Sequence, residues 1–263
     1  CELSGKSPAG YLSYMAHDYH MLTFAAMMSG QGKLAMSTMR SMLSDMPPDW
    51  REKNRESVDG YMAMPYEVQL RFGWWDELLA EPEPAKTWAL ARAWRLAGRA
   101  IAYAAKGEPD LARAEQKKFL AARADVPANM MFRKNTVTKI LGITEKLVEG
   151  EILLREGQAE PGLAALREAV KREDDLRYAE PPAWVQPVRH ALGASLMARG
   201  RFAEAEQVYR DDLSRLPDNG WSLFGLARSL RLQKKNADEA ADLEARHKKV
   251  WAKGDFELST SCL

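Results

Sequence analysis

The chain has 263 residues, of which 46% are hydrophobic and 29% charged, a composition that excludes disorder and suits amphipathic helices. Its 38 lysine and arginine residues balance 37 acidic residues to a net charge of +1, so charge gives no reason to expect nucleic acid or an anionic membrane as a partner. No apolar stretch approaches the roughly 20 residues of a membrane-spanning helix, so no transmembrane segment is expected.

A glycine turn recurs along the chain, each time between two helix-like runs. The markers are Gly30, Gly73, Gly107, Gly157 and Gly200, followed by a degenerate sixth turn at Lys234-Lys235-Asn236. One spacing matches a helical-hairpin repeat of about 34 residues, and the longer spacings match it with loop insertions.

Six hairpins are therefore predicted, with helices at 12–29 and 33–44, 66–72 and 75–79, 87–106 and 110–123, 135–156 and 163–172, 186–199 and 202–215, and 221–232 and 237–252. The repeat units fall near 11–46, 61–82, 87–124, 135–173, 186–217 and 221–252, and a tail at 253–263 is expected to pack on or cap the last unit. No strand is predicted, because period-two alternation never persists. Since one hairpin cannot bury its own apolar face, the prediction is a single all-α domain over 1–263, a right-handed solenoid of about six antiparallel hairpins.

An insertion at 176–184 precedes the fifth hairpin. Its Pro181-Pro182 pair predicts a loop, because proline lacks a backbone donor and restricts the residue before it. The candidate groove residues in and after this loop are Tyr178, Glu180, Trp184 and Arg189. Arg189 could bind a partner's carboxylate through two hydrogen bonds, or it could pair with Glu180 and pin the loop.

A second candidate groove cluster follows Gly73. Trp74 and Asp76 are predicted to line the groove. The neighbouring Trp75 takes the position that Phe202 takes after a later turn, so packing is the interpretation for it.

Two histidines, His17 and His20, are the candidate metal ligands. In a helix they share a face with Cβ atoms about 5–6 Å apart, close enough to bind one ion. Zinc needs three or four protein ligands, so other residues would have to complete the site; the candidates are Asp18, Glu180, His190, Cys1 and Cys262. The alternative is that both rings pack among aromatic side chains and hydrogen-bond to a neighbouring helix.

Methionine is crowded near the histidines, with ten of the thirteen between Met15 and Met64. Soft thioethers favour Cu(I), so copper is the first metal to consider, ahead of zinc. The same methionines recur at helical spacings, and methionine fills irregular cores and adaptable binding surfaces well. A core or an apolar groove is therefore the expected place for them.

The fifth unit resembles a tetratricopeptide repeat. That repeat has characteristic positions for small residues, for large residues and for a residue that ends the second helix. The residues that match these positions are Leu192, Gly193, Gly200, Phe202, Ala205, Tyr209 and Pro217. The sixth unit repeats the start as Trp221-Ser222-Leu223-Phe224-Gly225.

The whole chain is similar to a poorly characterised bacterial family of tetratricopeptide proteins, through the stretches 16–22, 71–77 and 178–189. The first stretch in that family usually reads His-Asn-x-His, from which Asp18 departs. Family members are usually longer, with histidine-rich helical repeats upstream, so the resemblance implies that this chain corresponds to the C-terminal half of such a protein. It implies no agreed activity.

The expected function is a non-catalytic scaffold that binds a protein or peptide segment in a concave groove, without a cofactor. No GxSxG, HExxH or phosphate-binding glycine loop occurs, which favours a binding protein over an enzyme. The alternative is a copper- or zinc-binding protein organised on His17 and His20, catalytic together with an upstream half that would also be a partner.

Cys1 has two interpretations. A lipid-bearing cysteine at this position would place the chain in a bacterial cell envelope or periplasm, with the residues after it as a tether. The other interpretation is that the chain is a fragment of a longer protein, in which case a cytoplasmic location stays open.

Overall fold

The computed structural model describes residues 9–262. Thirteen α-helices follow one another within that range: α1 (Ala9–Met28), α2 (Gly32–Asp45), α3 (Pro48–Lys53), α4 (Arg55–Arg71), α5 (Trp75–Ala80), α6 (Ala89–Ala105), α7 (Pro109–Ala124), α8 (Val137–Arg155), α9 (Ala159–Asp174), α10 (Val188–Met197), α11 (Phe202–Arg215), α12 (Gly220–Leu232) and α13 (Ala237–Val250). No helix in the described part of the chain is long and apolar enough to cross a membrane. The predicted all-α stack of helical hairpins is confirmed.

The hairpin turns lie where the glycine pattern predicts them. Gly30, Gly73, Gly107, Gly157 and Gly200 all have positive φ, between 64° and 79°. Glycine adopts this conformation without the steric cost that a Cβ brings, so each turn ends one helix and starts the next within a few residues. In the sixth turn Lys234 and Asn236 take positive φ instead.

The second hairpin differs from the prediction. Its first helix, α4, begins at Arg55 rather than at residue 66, and Pro65 lies inside it. An interior proline removes one helical hydrogen bond and costs about 3 kcal/mol or more. Most side chains of α4 from Val58 to Arg71 are buried, so tertiary packing outweighs that local cost.

A short antiparallel pair interrupts the chain before α8, where no strand was predicted. The strands are β1 (Met131–Phe132) and β2 (Asn135–Thr136), and Arg133 in the turn between them has a φ of 56°. The pair positions the Phe132 ring against Gly60 of α4, where an added Cβ would come within 2.2 Å of it. Two residues per strand leave no alternation that sequence periodicity could detect.

Consecutive hairpins pack through their first helices over much of the stack: α6 lies between α4 and α8, and α10 contacts α12. The insertion changes this pattern at the fifth hairpin, where α10 packs on α9 and α11. Residues 175–187 form no helix or strand, as the diproline pair predicts.

The stack closes on itself. The Trp221 indole N–H donates to the Met27 carbonyl at 2.8 Å, and the Asp255 N–H donates to the Gly30 carbonyl at the same distance. The Trp251 ring covers Gly30 so closely that a Cβ there would lie 2.3 Å from it. The first hairpin therefore packs directly on the last, and the interior is not an open trough.

A pair of helical glycines tests how tightly the hairpins fit. A Cβ at Gly193 would lie 2.4 Å from the buried Tyr209 ring, whereas a Cβ at Gly142 would meet only the flexible Arg172 side chain at 3.5 Å. We expect Gly193→Ala to lower the free energy of unfolding by about 1–3 kcal/mol. Gly142→Ala should raise it by up to about 1 kcal/mol, because alanine restricts the unfolded chain more than glycine does. Urea denaturation of both variants decides this, and equal effects would contradict the packing described.

Candidate functional site

Closure brings a buried arginine onto a buried indole. The Arg71 guanidinium carbon lies 3.4 Å from the centroid of the Trp221 ring, and both side chains are almost fully buried. Burial lowers the pKa of Arg71 to about 10, opposed by the negative charge of Asp212 among others, so the guanidinium stays cationic at neutral pH. A desolvated cation–π contact of this kind stabilises by about 2 kcal/mol.

Three aromatic rings form a cage beside this contact. Phe72, Trp221 and Trp251 surround the Phe256 ring, with centroid distances of 5.8, 5.9 and 5.7 Å. Two of the three contacts are edge-to-face, the arrangement that the aromatic quadrupole favours. We call these three residues the aromatic cage.

Phe256 belongs to an irregular stretch, residues 254–262, that follows the last helix and runs back into the interior. We call it the inner segment. It lies on what we call the inner face, formed by Arg71, Phe72, His190, Trp221, Arg228 and Trp251. The inner segment contacts the last unit through Arg228 and Trp251, and it also reaches the second and fifth hairpins through Arg71 and His190.

Side-chain donors hold the main chain of the inner segment. Trp251 donates its indole N–H to the Phe256 carbonyl at 2.8 Å, Arg228 donates to the Ser259 carbonyl, and Arg71 donates to the Ser261 carbonyl at 3.4 Å. Every residue has a main-chain carbonyl, so these contacts recognise the path of a segment and not its side chains.

Two polar side chains of the inner segment are also recognised individually. The Asp255 carboxylate accepts the backbone N–H of Lys33 at 2.6 Å, in the first turn of α2. The Ser261 hydroxyl, 2% exposed, bonds to the Tyr209 hydroxyl and to the His190 carbonyl. A cavity of about 170 Å³ remains beside residues 259–261.

A buried polar cluster supports the inner face from behind. One oxygen of the Asp212 carboxylate accepts from His190 Nε2, the Ser222 hydroxyl and the Asn219 amide at 2.7–3.0 Å. Burial acts to raise the pKa of Asp212, but these three donors together hold it below its ordinary value. Asp212 lies between His190 and Ser222, so the ring does not contact the hydroxyl as a catalytic base would. The cluster joins α10, α11 and α12.

The residues predicted for the groove do not form one site. Trp184 is 3% exposed and packs against Trp94 at 6.5 Å. Arg189 is 7% exposed, and Asp174 engages its guanidinium with two hydrogen bonds of 2.8 and 2.7 Å. The alternative in which Arg189 pairs with Glu180 is wrong, because the Arg189 guanidinium is engaged by Asp174 at the end of α9.

The other four groove candidates lie at the surface in two places. Trp74 is half-buried and packs on Phe72, and the exposed Asp76 pairs with Lys106. Tyr178 is 74% exposed and hydrogen-bonds Glu180. Neither place shares a hydrogen bond, an ion pair or a ring contact with the other.

The two histidines have different surroundings. His17 is partly exposed, and its Nε2 donates to the Glu180 carbonyl at 3.0 Å. His20 is fully buried between Tyr61 and Phe132, neither ring nitrogen has a hydrogen-bond partner, and burial lowers its pKa to about 3. The described residues contain no group of three or more His, Cys, Asp and Glu side chains that could hold a metal ion. The candidate ligand Cys1 lies outside them, and metal binding stays a prediction.

The chain just after the diproline loop is bonded to the main chain of Glu67, whose own carboxyl group is buried. The Gln186 amide donates to the Glu67 carbonyl at 2.9 Å. The Glu67 side chain is buried and neither of its oxygens makes a hydrogen bond of normal geometry. Burial raises the pKa of Glu67 to about 8, only partly opposed by the nearby Val185 N–H, so the group is largely neutral below that pH.

Sequence reasoning missed most of the inner face. Arg71, Trp221 and Ser222 lie within stretches quoted for the family resemblance, but nothing local marks them as neighbours. The one available signal was the aromatic residues Trp221, Trp251 and Phe256. An aromatic residue in the tail favours packing of the tail on an apolar surface, and the two tryptophans offer one.

Comparison with known proteins gives three findings. No family model matches the chain, and no curated protein matches it. Among solved structures it is similar to a single-substitution variant of nearly identical TPR-like repeats, assigned as a kinesin light chain of Podosopora anserina. The similarity covers 90% of this chain and 94% of that chain, with 16% identity and a TM-score of 0.44. A function must therefore be inferred from this chain's own residues.

Glu67 predicts a pH dependence of stability. Its pKa is higher in the folded state, about 8 against an ordinary 4.5, so its contribution is full below pH 4.5 and is lost as pH rises toward 8. We expect Glu67→Gln to gain stability relative to the unmodified chain between pH 5 and pH 8, measured by urea denaturation. Glu56→Gln, an exposed position on the same helix, is the control. A difference between Glu67→Gln and the unmodified chain that does not change with pH would contradict the assignment.

The two buried histidines should respond oppositely to replacement by leucine. His20→Leu removes two unpartnered nitrogens, so the free energy of unfolding should stay constant or rise. His190→Leu strips a partner from the buried Asp212 carboxylate and should cost about 3 kcal/mol or more. Thermal unfolding with metal analysis on the same samples checks both; loss of a bound metal ion in His20→Leu would favour the metal site instead.

Proposed function

We propose that the chain is a non-catalytic scaffold that binds a peptide or protein segment on its inner face. The observation that carries the proposal is that this face holds an irregular segment by donating side-chain hydrogen bonds to its carbonyls. The occupant seen is the chain's own inner segment, so the chemistry of recognition is visible without a bound partner.

The inner face combines two kinds of contact that peptide-binding grooves use. The indole of Trp251 and the guanidinium groups of Arg71 and Arg228 bind carbonyls, which supplies affinity for many sequences. The aromatic cage accepts one ring, which supplies selectivity and buries apolar area. Arginine and aromatic residues are the types that dominate such binding surfaces.

The non-catalytic part of the proposal is supported by the use of the buried polar groups. His190, Ser222 and Asn219 all donate to Asp212, and none of these three residues lines the cavity beside the inner segment. The cluster explains the mutual orientation of three helices, which a rigid binding surface requires.

A photo-crosslinking experiment tests where peptides bind. Random peptides are selected against the full chain and, in parallel, against Asp255→Ala, in which the inner segment has lost one anchor. A photoreactive residue then replaces Leu232, which is 49% exposed and lines the cavity beside the inner segment. The control position is Leu120, 42% exposed on α7, a helix that makes no hydrogen bond with the inner segment.

Selected peptides should crosslink from position 232 and not from position 120. Equal yields at the two positions, or no selected peptide on either chain, would refute the inner face as the binding surface.

A further inference from the structure

We infer that the inner segment is an intramolecular ligand that competes with an external partner of the same chemistry: an acidic residue followed directly by an aromatic one, with a hydroxyl side chain five residues further on. This inference rests on the proposed function and adds the partner's chemistry and the means by which its access is limited.

The acidic position is the N-terminus of α2. Gln31 at the N-cap makes no side-chain capping bond, so the N–H groups of the first turn need an acceptor from elsewhere. Asp255 supplies it to Lys33, more than two hundred residues away in sequence. A carboxylate there also interacts favourably with the helix dipole, which a neutral side chain does not.

The aromatic position is the aromatic cage. Phe256 is only partly buried there, so the ring reaches its place from outside without parting the helices. The indole N–H that binds its carbonyl belongs to the cage as well, since Trp251 provides both. Ring and main chain are therefore recognised together.

The hydroxyl position is the most enclosed. Ser261 meets the Tyr209 hydroxyl, whose ring is fixed between Gly193 and Gly225. The Arg71 guanidinium binds the carbonyl of the same residue. A small side chain with one donor fits these partners, and a larger one would have to displace the tyrosine.

Between these positions the inner segment is loosely held. Glu257 is exposed and makes no hydrogen bond or ion pair among the described residues, and Ser259 is exposed and bound through its carbonyl. The stack also closes through contacts that do not involve the segment, the Trp221–Met27 hydrogen bond and the Arg71–Trp221 stacking. Exchange of the segment for a partner therefore leaves the hairpins packed.

Tethering makes the competition strong. A segment joined to its own binding surface by a short linker has an effective concentration in the millimolar range. An external peptide binds only the fraction of molecules whose inner face is open, and its apparent affinity is reduced by that fraction. Weakening the tethered segment should restore the affinity.

The experiment uses a fluorescent peptide with the sequence of residues 252–262, carrying Cys262→Ser, and the full chain. Fluorescence anisotropy should give an affinity for Phe256→Ala about 10- to 100-fold higher than for the unmodified chain, and a smaller gain for Asp255→Ala. Glu257→Ala is the matched control and should behave as the unmodified chain. A peptide in which the aspartate and phenylalanine are both replaced by alanine should bind none of the chains.

Equal affinity for the unmodified chain and both variants would overturn the competition while leaving peptide binding intact. If the peptide does not bind a folded variant, the inference that the inner segment is an intramolecular ligand is wrong. The crosslinking experiment at position 232 then tests the proposed function separately. Circular dichroism verifies folding; if Phe256→Ala is unfolded, Asp255→Ala, altered only at an exposed side chain, carries the test.

Hydrogen exchange on the unmodified chain gives a second measurement. Excess peptide should accelerate exchange at the Asp255 amide, which the Gly30 carbonyl protects. Unchanged protection while the peptide is bound would also overturn the competition.

Discussion

The buried indole of Trp221 is the point on which the closed stack depends. Its N–H binds the end of α1, one face carries the Arg71 guanidinium, and its ring contacts Phe72, Trp251 and Phe256. A single side chain thus joins the first, second and last hairpins. Solenoid units ordinarily contact only their neighbours in sequence, so this residue turns a linear stack into one in which the two ends stabilise each other.

Closure changes what the inner face can do. An open trough would present its aromatic side chains to water, whereas here the chain fills that space with its own residues 254–262. An exposed aromatic surface of the kind that an open trough would have favours non-specific association. On the proposed function, a face covered by residues 254–262 keeps its selectivity, because a partner must match the acidic, aromatic and hydroxyl positions well enough to replace a tethered competitor.

Several buried polar groups around this architecture lack ideal partners. Glu67 and His20 are buried without hydrogen bonds, and burial raises the pKa of Glu173 to about 8, although its carboxyl group accepts the Val188 N–H. A buried polar group without a hydrogen bond costs free energy in the folded state even when it is neutral, and a charged one costs more. His20 lies on α1, Glu67 on α4 and Glu173 on α9.

The sequence by itself determined the helical class, the five glycine turns, the diproline loop and most helix ends, because these follow from local preferences: a positive φ, a missing N–H, an apolar period. Only the tertiary structure decided that α4 continues through Pro65, that Arg189 meets Asp174, that His17 and His20 have separate surroundings, and that Asp255, Phe256 and Ser261 reach the inner face. Those outcomes depend on contacts between residues far apart along the chain. Such contacts arise from how the hairpins stack and close, and they leave no period or spacing in the sequence from which they could be inferred.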